Sequence, residues 1–300
     1  MSAVVKLSAE LKTWIVNNLD RGCAPEQLIQ SMIGEKFQPA VARSLIEAFE
    51  RARKAGQPIA GDTLTLETRP AYDYAAPRLE SGNVIKTDDR TIRVAMRMQR
   101  PIVAVLENVL AADECDQLVE LARPRLTPST VVDPLTGANT VAAHRNSEGM
   151  FFRLEETPLI AKLDHRLSQL MNAPVRHGEG LQVLRYGPGT QSTPHFDFLI
   201  PSNPANRQSL ERSGQRISSL VIYLNDVPEG GETVFPEAAL SVCARKGSAV
   251  YFEYCDGAGQ LDQLTLHAGA PVICGEKWAV TKWMRQRPFV SAPAAAPKPA

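Results

Sequence analysis

From Gly180 to Arg285 the sequence leaves little choice of architecture. Leu181–Tyr186, His195–Ile200, Ile217–Leu224, Thr233–Phe235, Gly247–Phe252, Gln263–His267 and Trp278–Arg285 are short runs rich in β-branched, aromatic and leucine side chains. Turn sequences such as Gly187-Pro-Gly189 and Glu229-Gly-Gly-Glu232 separate them. Such runs at close intervals fit two packed antiparallel sheets, a jelly roll or double-stranded β-helix, with helices packed outside. The expected class is therefore α+β.

Within this run, His195 and Asp197 stand two apart, so on an extended strand both side chains point to one face. A His-x-Asp triplet alone is a weak signal, equally consistent with a hydrogen-bonded strand histidine beside a surface acid. Taken with His267 it makes two imidazoles and one carboxylate, a facial set that suits iron(II) and leaves three coordination positions open. Zinc held by the same three residues could serve a hydrolase, but that leaves Lys277 without a task. Lys277 follows His267 by ten residues, with Gly275 between them expected to turn a hairpin. A lysine buried there is costly without an anion beside it, so it implies an anionic ligand at the open positions.

Ahead of the strands the pattern is helical. Over residues 1–56, Leu7, Leu11, Trp14, Ile15 and Leu19 share one face behind Ser8 as N-cap, and two further short amphipathic segments begin at Pro25 and Pro39. This reads as a small accessory module that could bind a protein partner. Residues 57–90, with several Pro and Gly and no sustained period, read as a linker. Residues 91–290 form the main domain, opening with the apolar Pro101–Leu106 run and carrying helices near 111–122 and 158–171. A mobile loop is expected over 128–144, a polar insert over 201–215, and a disordered Ala/Pro tail over 291–300.

Charge and cysteine usage narrow the setting. Lys+Arg and Asp+Glu are equal at 33 each, so no overall field points to nucleic acid or an anionic membrane. No apolar stretch is long enough to span a bilayer, and the N-terminus lacks a basic start followed by an apolar run. The five cysteines are scattered without a C-x-x-C pair, which favours a reducing, cytoplasmic location.

Over residues 98–287 the chain resembles the prolyl 4-hydroxylase family of Fe(II)/2-oxoglutarate-dependent dioxygenases. Besides the residues above, the resemblance rests on Arg145-Asn-Ser147, Leu181–Tyr186, Tyr223-Leu-Asn-Asp226, Gly230–Pro236 and His267–Pro271. It implies His195, Asp197 and His267 as the metal ligands at the catalytic centre, and Lys277 as the partner of the far carboxylate of 2-oxoglutarate. Tyr186 and Thr233 would hydrogen-bond the same co-substrate, and Trp283 would wall its pocket. Arg145, Ser147, Glu179 and Arg285 would face the substrate.

The implied chemistry consumes 2-oxoglutarate and O2, with Fe(2+) as cofactor and ascorbate (vitamin C) as reductant. It releases succinate and CO2 while hydroxylating an unactivated C–H, expected to be proline in a peptide or protein. Two departures bear on the substrate: Ser192 stands where peptide-hydroxylating members commonly have tyrosine, and Arg285 where they often have histidine. A free amino acid or small metabolite is thus an alternative substrate. A non-catalytic jelly-roll binding module is a further alternative, opposed by the intact ligand set and Lys277.

Overall fold

The structure is a computed structural model and describes residues 2–57, 59, 61–67, 72–128, 131–132, 139–140 and 147–291. The chain divides into two compact units, Met1–Ala71 and Tyr72–Ala300.

The first unit is β1 (Ser2–Lys6), α1 (Ala9–Asp20), α2 (Pro25–Gly34), α3 (Pro39–Lys54) and β2 (Thr63–Glu67). Ser8 caps α1 as expected, accepting from Leu11 N at 3.1 Å. Leu7, Ile15, Leu19, Leu28, Ile29, Met32, Leu45, Ile46 and Phe49 close its core, whereas Trp14 is 37% exposed. β1 and β2 pair antiparallel, Ser2 opposite Glu67, so residues 63–67 belong to this unit and not to a linker.

The expected linker over 57–90 is also corrected at its far end, because residues 72–90 are part of the second unit. Arg78 N and Asp73 N donate to the Glu253 and Asp256 carboxylates at 2.7 and 3.0 Å, and Tyr74 Oη donates to Asp262 at 2.9 Å. Leu79 and Ile85 are buried in the second unit's core. Side-chain bonds from far along the chain thus order a segment that lacks any local period.

In chain order the second unit begins with β3 (Val84–Lys86), β4 (Thr91–Met98), β5 (Val103–Glu107), α4 (Ala112–Ala122), β6 (Thr127–Pro128), β7 (Val131–Val132), β8 (Asn139–Thr140) and β9 (Glu148–Phe152). It continues with α5 (Pro158–Leu170), β10 (Leu181–Tyr186), β11 (Ser192–His195), α6 (Pro204–Ser213), β12 (Arg216–Tyr223), β13 (Glu229–Gly230) and β14 (Thr233–Phe235). β15 (Leu240–Val242), β16 (Ala249–Glu253), β17 (His267–Gly269), β18 (Val272–Cys274) and β19 (Lys277–Arg285) complete it.

Among the described residues the strands make a large sheet, β3-β4-β5-β16-β12-β19-β10-β9-β6, and a small one, β11-β17-β14-β15, each antiparallel throughout. This is the jelly-roll core. All nine residues of β19 are buried, so both faces of the large sheet are covered at its centre. One face, with Trp278, Val280 and Met284, joins the core that includes Leu118 of α4 and Leu163 and Leu167 of α5. Lys282 of that face donates to Asp164 of α5 at 2.7 Å, a fully buried ion pair. The other face, with Lys277, Ala279, Thr281 and Trp283, looks into a cavity.

Four local expectations are revised. The insert at 201–215 contains α6, hidden by its polarity but started by Asn203, whose side chain accepts from Asn206 N at 2.9 Å. The strand expected over His195–Ile200 ends at His195, and a 3-10 turn at Gln263–Thr265 precedes His267. No hairpin joins His267 to Lys277: β17 pairs with β11 and β14, β18 with β13, and β19 with β10 and β12. Gly275, at φ +82°, lies between β18 and β19, where the chain enters the large sheet. The close approach of β13 to β18 depends on Gly230 at φ +77°, where a Cβ would collide with the Pro271 carbonyl.

Most of the loop expected over 128–144, Arg145 and residues 292–300 of the tail lie outside the described residues. Among the described residues no helix is long and apolar enough to cross a membrane.

Candidate active site

The register of the small sheet brings the two histidines together. His195 of β11 is directly opposite His267 of β17, with ring centroids 4.4 Å apart. Asp197, just beyond β11, turns its carboxylate between them, 3.7 Å from His195 Nε2 and 3.8 Å from His267 Nε2. One ligand atom from each of the three lies within 4.8 Å of the others, spacing that could hold one metal ion.

The tautomers follow from the backbone. His195 Nδ1 is 2.8 Å from the Thr193 carbonyl and His267 Nδ1 is 3.0 Å from the Thr265 carbonyl. A carbonyl can only accept, so each Nδ1 carries the proton and each Nε2 keeps its lone pair for a metal.

Asp197 is held from outside the triad. Ser219 Oγ donates to its Oδ2 at 2.5 Å, and the same hydroxyl is 3.0 Å from the buried Tyr254 Oη. Burial alone would raise the Asp197 carboxyl, but His267, His195, Arg216 and Ser219 outweigh it and hold it at about 2. The group is therefore an anion with one oxygen fixed by a hydroxyl, which favours coordination through the other.

These residues line one end of a cavity of about 670 Å³. Strand alternation fills its opposite wall from the large sheet: Gln182, Leu184 and Tyr186 of β10 beside Lys277, Ala279, Thr281 and Trp283 of β19. Tyr186 is directly opposite Lys277 in the ladder. The Lys277 ammonium sits 5.7 Å from the Tyr186 ring centroid and 5.4 Å from that of Tyr223. Lys277 is 5% exposed, and among the described residues no carboxylate is in salt-bridge contact with it. Burial pushes its pKa down to about 8, opposed only by the field of Glu232.

Thr233 of β14 lines the same cavity, its Oγ1 accepting from Tyr223 Oη at 2.8 Å. Ser147 is buried on the cavity wall.

Glu179 and Arg285, expected to face a substrate, do not line the cavity. They are tied into the wall behind it. Glu179 accepts from Arg216 Nε and Nη2 at 2.7 and 2.9 Å and from Arg285 Nη1 at 2.9 Å. Arg285 is 1% exposed and spends Nη2 on Ser209 and the Gly214 carbonyl. A cation and an anion so deeply buried are stable only when paired, and this pairing leaves neither side chain reaching the cavity.

Arg216 is the cavity-lining residue instead, stacked 3.9 Å from the Trp283 ring centroid. In the sequence Arg216 stands at the edge of the polar insert, where a solvated arginine is the ordinary expectation. The available signal was its place at the start of an otherwise apolar strand, with Glu179 and Asp197 as the acids that could hold it. Ser219 was equally unmarked; only the pairing of Ser219 with Trp283 shows that it faces the cavity side.

Residues 181–285 match the 2OG-Fe(II) oxygenase superfamily. Prolyl 4-hydroxylase 1 of Arabidopsis thaliana is 40% identical over 235 residues, 73% of this chain and 78% of that protein. The chain belongs to the prolyl 4-hydroxylase family. It is a 2-oxoglutarate-dependent dioxygenase that uses iron(II), and His195, Asp197 and His267 fit that metal.

Similarity extends to prolyl 4-hydroxylase subunit alpha-1 of Gallus gallus, 37% identical over 188 residues, which are 63% of this chain and 36% of that one. A solved viral collagen prolyl hydroxylase from Paramecium bursaria Chlorella virus-1, in complex with 2OG, is 29% identical, covering 61% of this chain and 95% of that one at a TM-score of 0.48.

Proposed function

We propose that the protein hydroxylates proline in a peptide or protein, with His195, Asp197 and His267 holding iron(II) and Lys277 anchoring 2-oxoglutarate. The observation that carries this reading is the facing of the triad and a buried lysine without a carboxylate partner across one cavity. When bound, iron(II) with 2-oxoglutarate and O2 supplies the oxidising power: one oxygen atom enters the substrate C–H bond and the other enters succinate, with loss of CO2.

This chain's residues bind, orient and exclude water around that chemistry. The Nε2 atoms of both histidines and one Asp197 oxygen supply the metal donors, while Ser219 fixes the other oxygen. Lys277 gives a point charge for the far carboxylate of the co-substrate. Thr233 Oγ1 already accepts from Tyr223, which leaves its own proton to donate to that carboxylate. The Tyr186 hydroxyl would add a second directional bond, and Trp283 would close the apolar side. Ser147 remains assigned to the substrate side, as does Arg145 on the resemblance.

Every residue lining the cavity belongs to the second unit. The first unit has its own core and is assigned to binding a protein partner. The cysteines are all free thiols, which supports a reducing, cytoplasmic location as part of the same proposal.

The test is anaerobic reconstitution with Fe(II) and 2-oxoglutarate, then O2, ascorbate and a panel of proline peptides. Succinate release coupled to a one-oxygen mass gain on proline is expected. His195→Ala should retain no iron and release no succinate. Full succinate release by that variant would refute the ligand assignment.

A further inference from the structure

His267 reaches the site on the loop between β16 and β17, residues 254–266, which holds the 3-10 turn Gln263–Thr265. The same loop begins at Tyr254, whose Oη is 3.0 Å from the Ser219 hydroxyl that holds Asp197. Two of the three ligands are therefore backed by one connecting segment. Glu253 at its start and Asp256 and Asp262 along it are buried carboxylates, 1%, 7% and 3% exposed. Buried carboxylates need donors, and the loop's own amides answer only part of that need. The remainder comes from residues 73–79, ahead of β3. Arg78 N and Leu79 N donate to Glu253 at 2.7 and 3.3 Å, Asp73 N to Asp256 at 3.0 Å and Tyr74 Oη to Asp262 at 2.9 Å.

The bond to Asp262 bears on the metal ligand. Asp262 Oδ1 accepts from Tyr74 Oη and also from Leu264 N at 3.0 Å, capping the 3-10 turn, and the Asp262 carbonyl accepts from Thr265 Oγ1 at 2.7 Å. Asp262 Oδ2 has no partner among the described residues, so the side chain acts through Oδ1 alone. The turn held in this way aims the Thr265 carbonyl at His267 Nδ1, 3.0 Å away, and that bond keeps the proton off Nε2. The rings of Phe252 and Phe235, 4.7 and 5.8 Å from the His267 ring, are apolar and offer no substitute acceptor. His195 is independent of the loop, because its Nδ1 partner is the Thr193 carbonyl of β11 itself.

We propose that Tyr74 and Asp262 are positioning residues for His267: the segment that opens the second unit fixes, through Asp262 and the turn at Gln263–Thr265, the tautomer and placement of one metal ligand. The inference rests on His267 as a metal ligand and involves no contact with substrate or co-substrate. The hydroxyl of Tyr74 is the part that matters. Its ring is packed independently against Tyr72, centroids 4.8 Å apart, with the Arg100 guanidinium 5.4 Å from its centroid. Removing the hydroxyl alone therefore leaves the ring seated and strips one donor from a buried carboxylate.

The experiment uses the full chain, metal-free, with Co(II) alone as the probe, titrated against a chromophoric chelator without O2. Asp262→Ala should weaken Co(II) binding by about tenfold and Tyr74→Phe by about threefold. Asp262→Asn keeps an oxygen for both donors and should bind Co(II) as the parent does. The double variant Tyr74→Phe with Asp262→Ala should be no weaker than Asp262→Ala, because both changes act along one path. Long-range proton–nitrogen NMR of the histidine rings in the metal-free chain should show the His267 proton leaving Nδ1 in part of the Asp262→Ala population, with His195 unchanged. A general loss of stability would not single out one ring. Parent-like Co(II) affinity and an unchanged His267 tautomer in both single variants would overturn the inference, and where the alanine variant does not fold, Tyr74→Phe decides alone. A parent chain that binds no Co(II) would overturn the ligand assignment, and this inference with it.

Discussion

Replacing Lys277 by methionine should make the metal-free protein more stable and the enzyme worse. In the absence of an anion, burial holds the Lys277 ammonium at about 8 against its ordinary 10.5. The folded state therefore binds this proton less tightly than the unfolded chain does, so the protonated lysine opposes folding. That penalty is full below pH 8 and is relieved as the pH rises from 8 to 10.5. At about 1.4 kcal/mol per pH unit, the gap corresponds to about 3 kcal/mol. The rings of Tyr186 and Tyr223 beside the ammonium return about 1 kcal/mol of it. Methionine fills a similar volume without the charge, so the variant should gain about 2 kcal/mol at pH 7 in urea unfolding followed by tryptophan fluorescence.

The parent's stability should rise between pH 8 and 10.5, and that rise should vanish in the variant. Its 2-oxoglutarate requirement should increase at least about thirtyfold, because the far carboxylate then has no cation. In the parent, the affinity for 2-oxoglutarate should weaken by about tenfold per pH unit above 8, since binding then requires uptake of a proton. A methionine variant that is less stable than the parent, with an unchanged 2-oxoglutarate requirement, would refute the reasoning.

Ser219→Ala removes the 2.5 Å donor to Asp197 Oδ2 and should weaken iron retention by about tenfold or more in competition with a chelator, while Ser219→Thr should retain it; an unchanged affinity in the alanine variant would show that Asp197 needs no outer support. A fragment of residues 72–300 should fold and release succinate from 2-oxoglutarate at a rate within about twofold of the full chain, because each hydrophobic core draws on one unit alone. An aggregated or inert fragment would refute the separation of the units.

The features legible in the sequence are those whose cause is local. The short alternating runs gave the sheets, and His195 and Asp197 lie within two residues of each other, so their meeting needs no tertiary knowledge. Ser8 as the cap of α1 is likewise decided by neighbours. Features set by distant partners were not legible. The strand pair Ser2–Lys6 with Thr63–Glu67 closes across the three intervening helices. Residues 72–80 look like a linker because the carboxylates that order them lie near residues 253–262. Lys277 stands on another geometry than the one expected: it lines the cavity from the large sheet and faces the triad across it, not along a hairpin.

That geometry divides the site between the two sheets. The His195–Asp197–His267 triad sits on and just beyond the small sheet, and Lys277 sits on the large one, so the packing of the sheets sets how far apart they stand; on the proposed assignment it would also set the span between iron and the co-substrate's far carboxylate. Arg216, Glu179 and Arg285 lie at or beyond the other end of β19 and β12, several residues along the ladder from Lys277. Glu179 and Arg285 act on the cavity through Arg216, which Glu179 holds and which stacks on Trp283 and donates to the Asp197 carbonyl. The departures at Ser192 and Arg285 spare the four residues of the chemistry, which are intact. The side chains that pair with Arg216 therefore bear on the cavity wall and on the Asp197 backbone together.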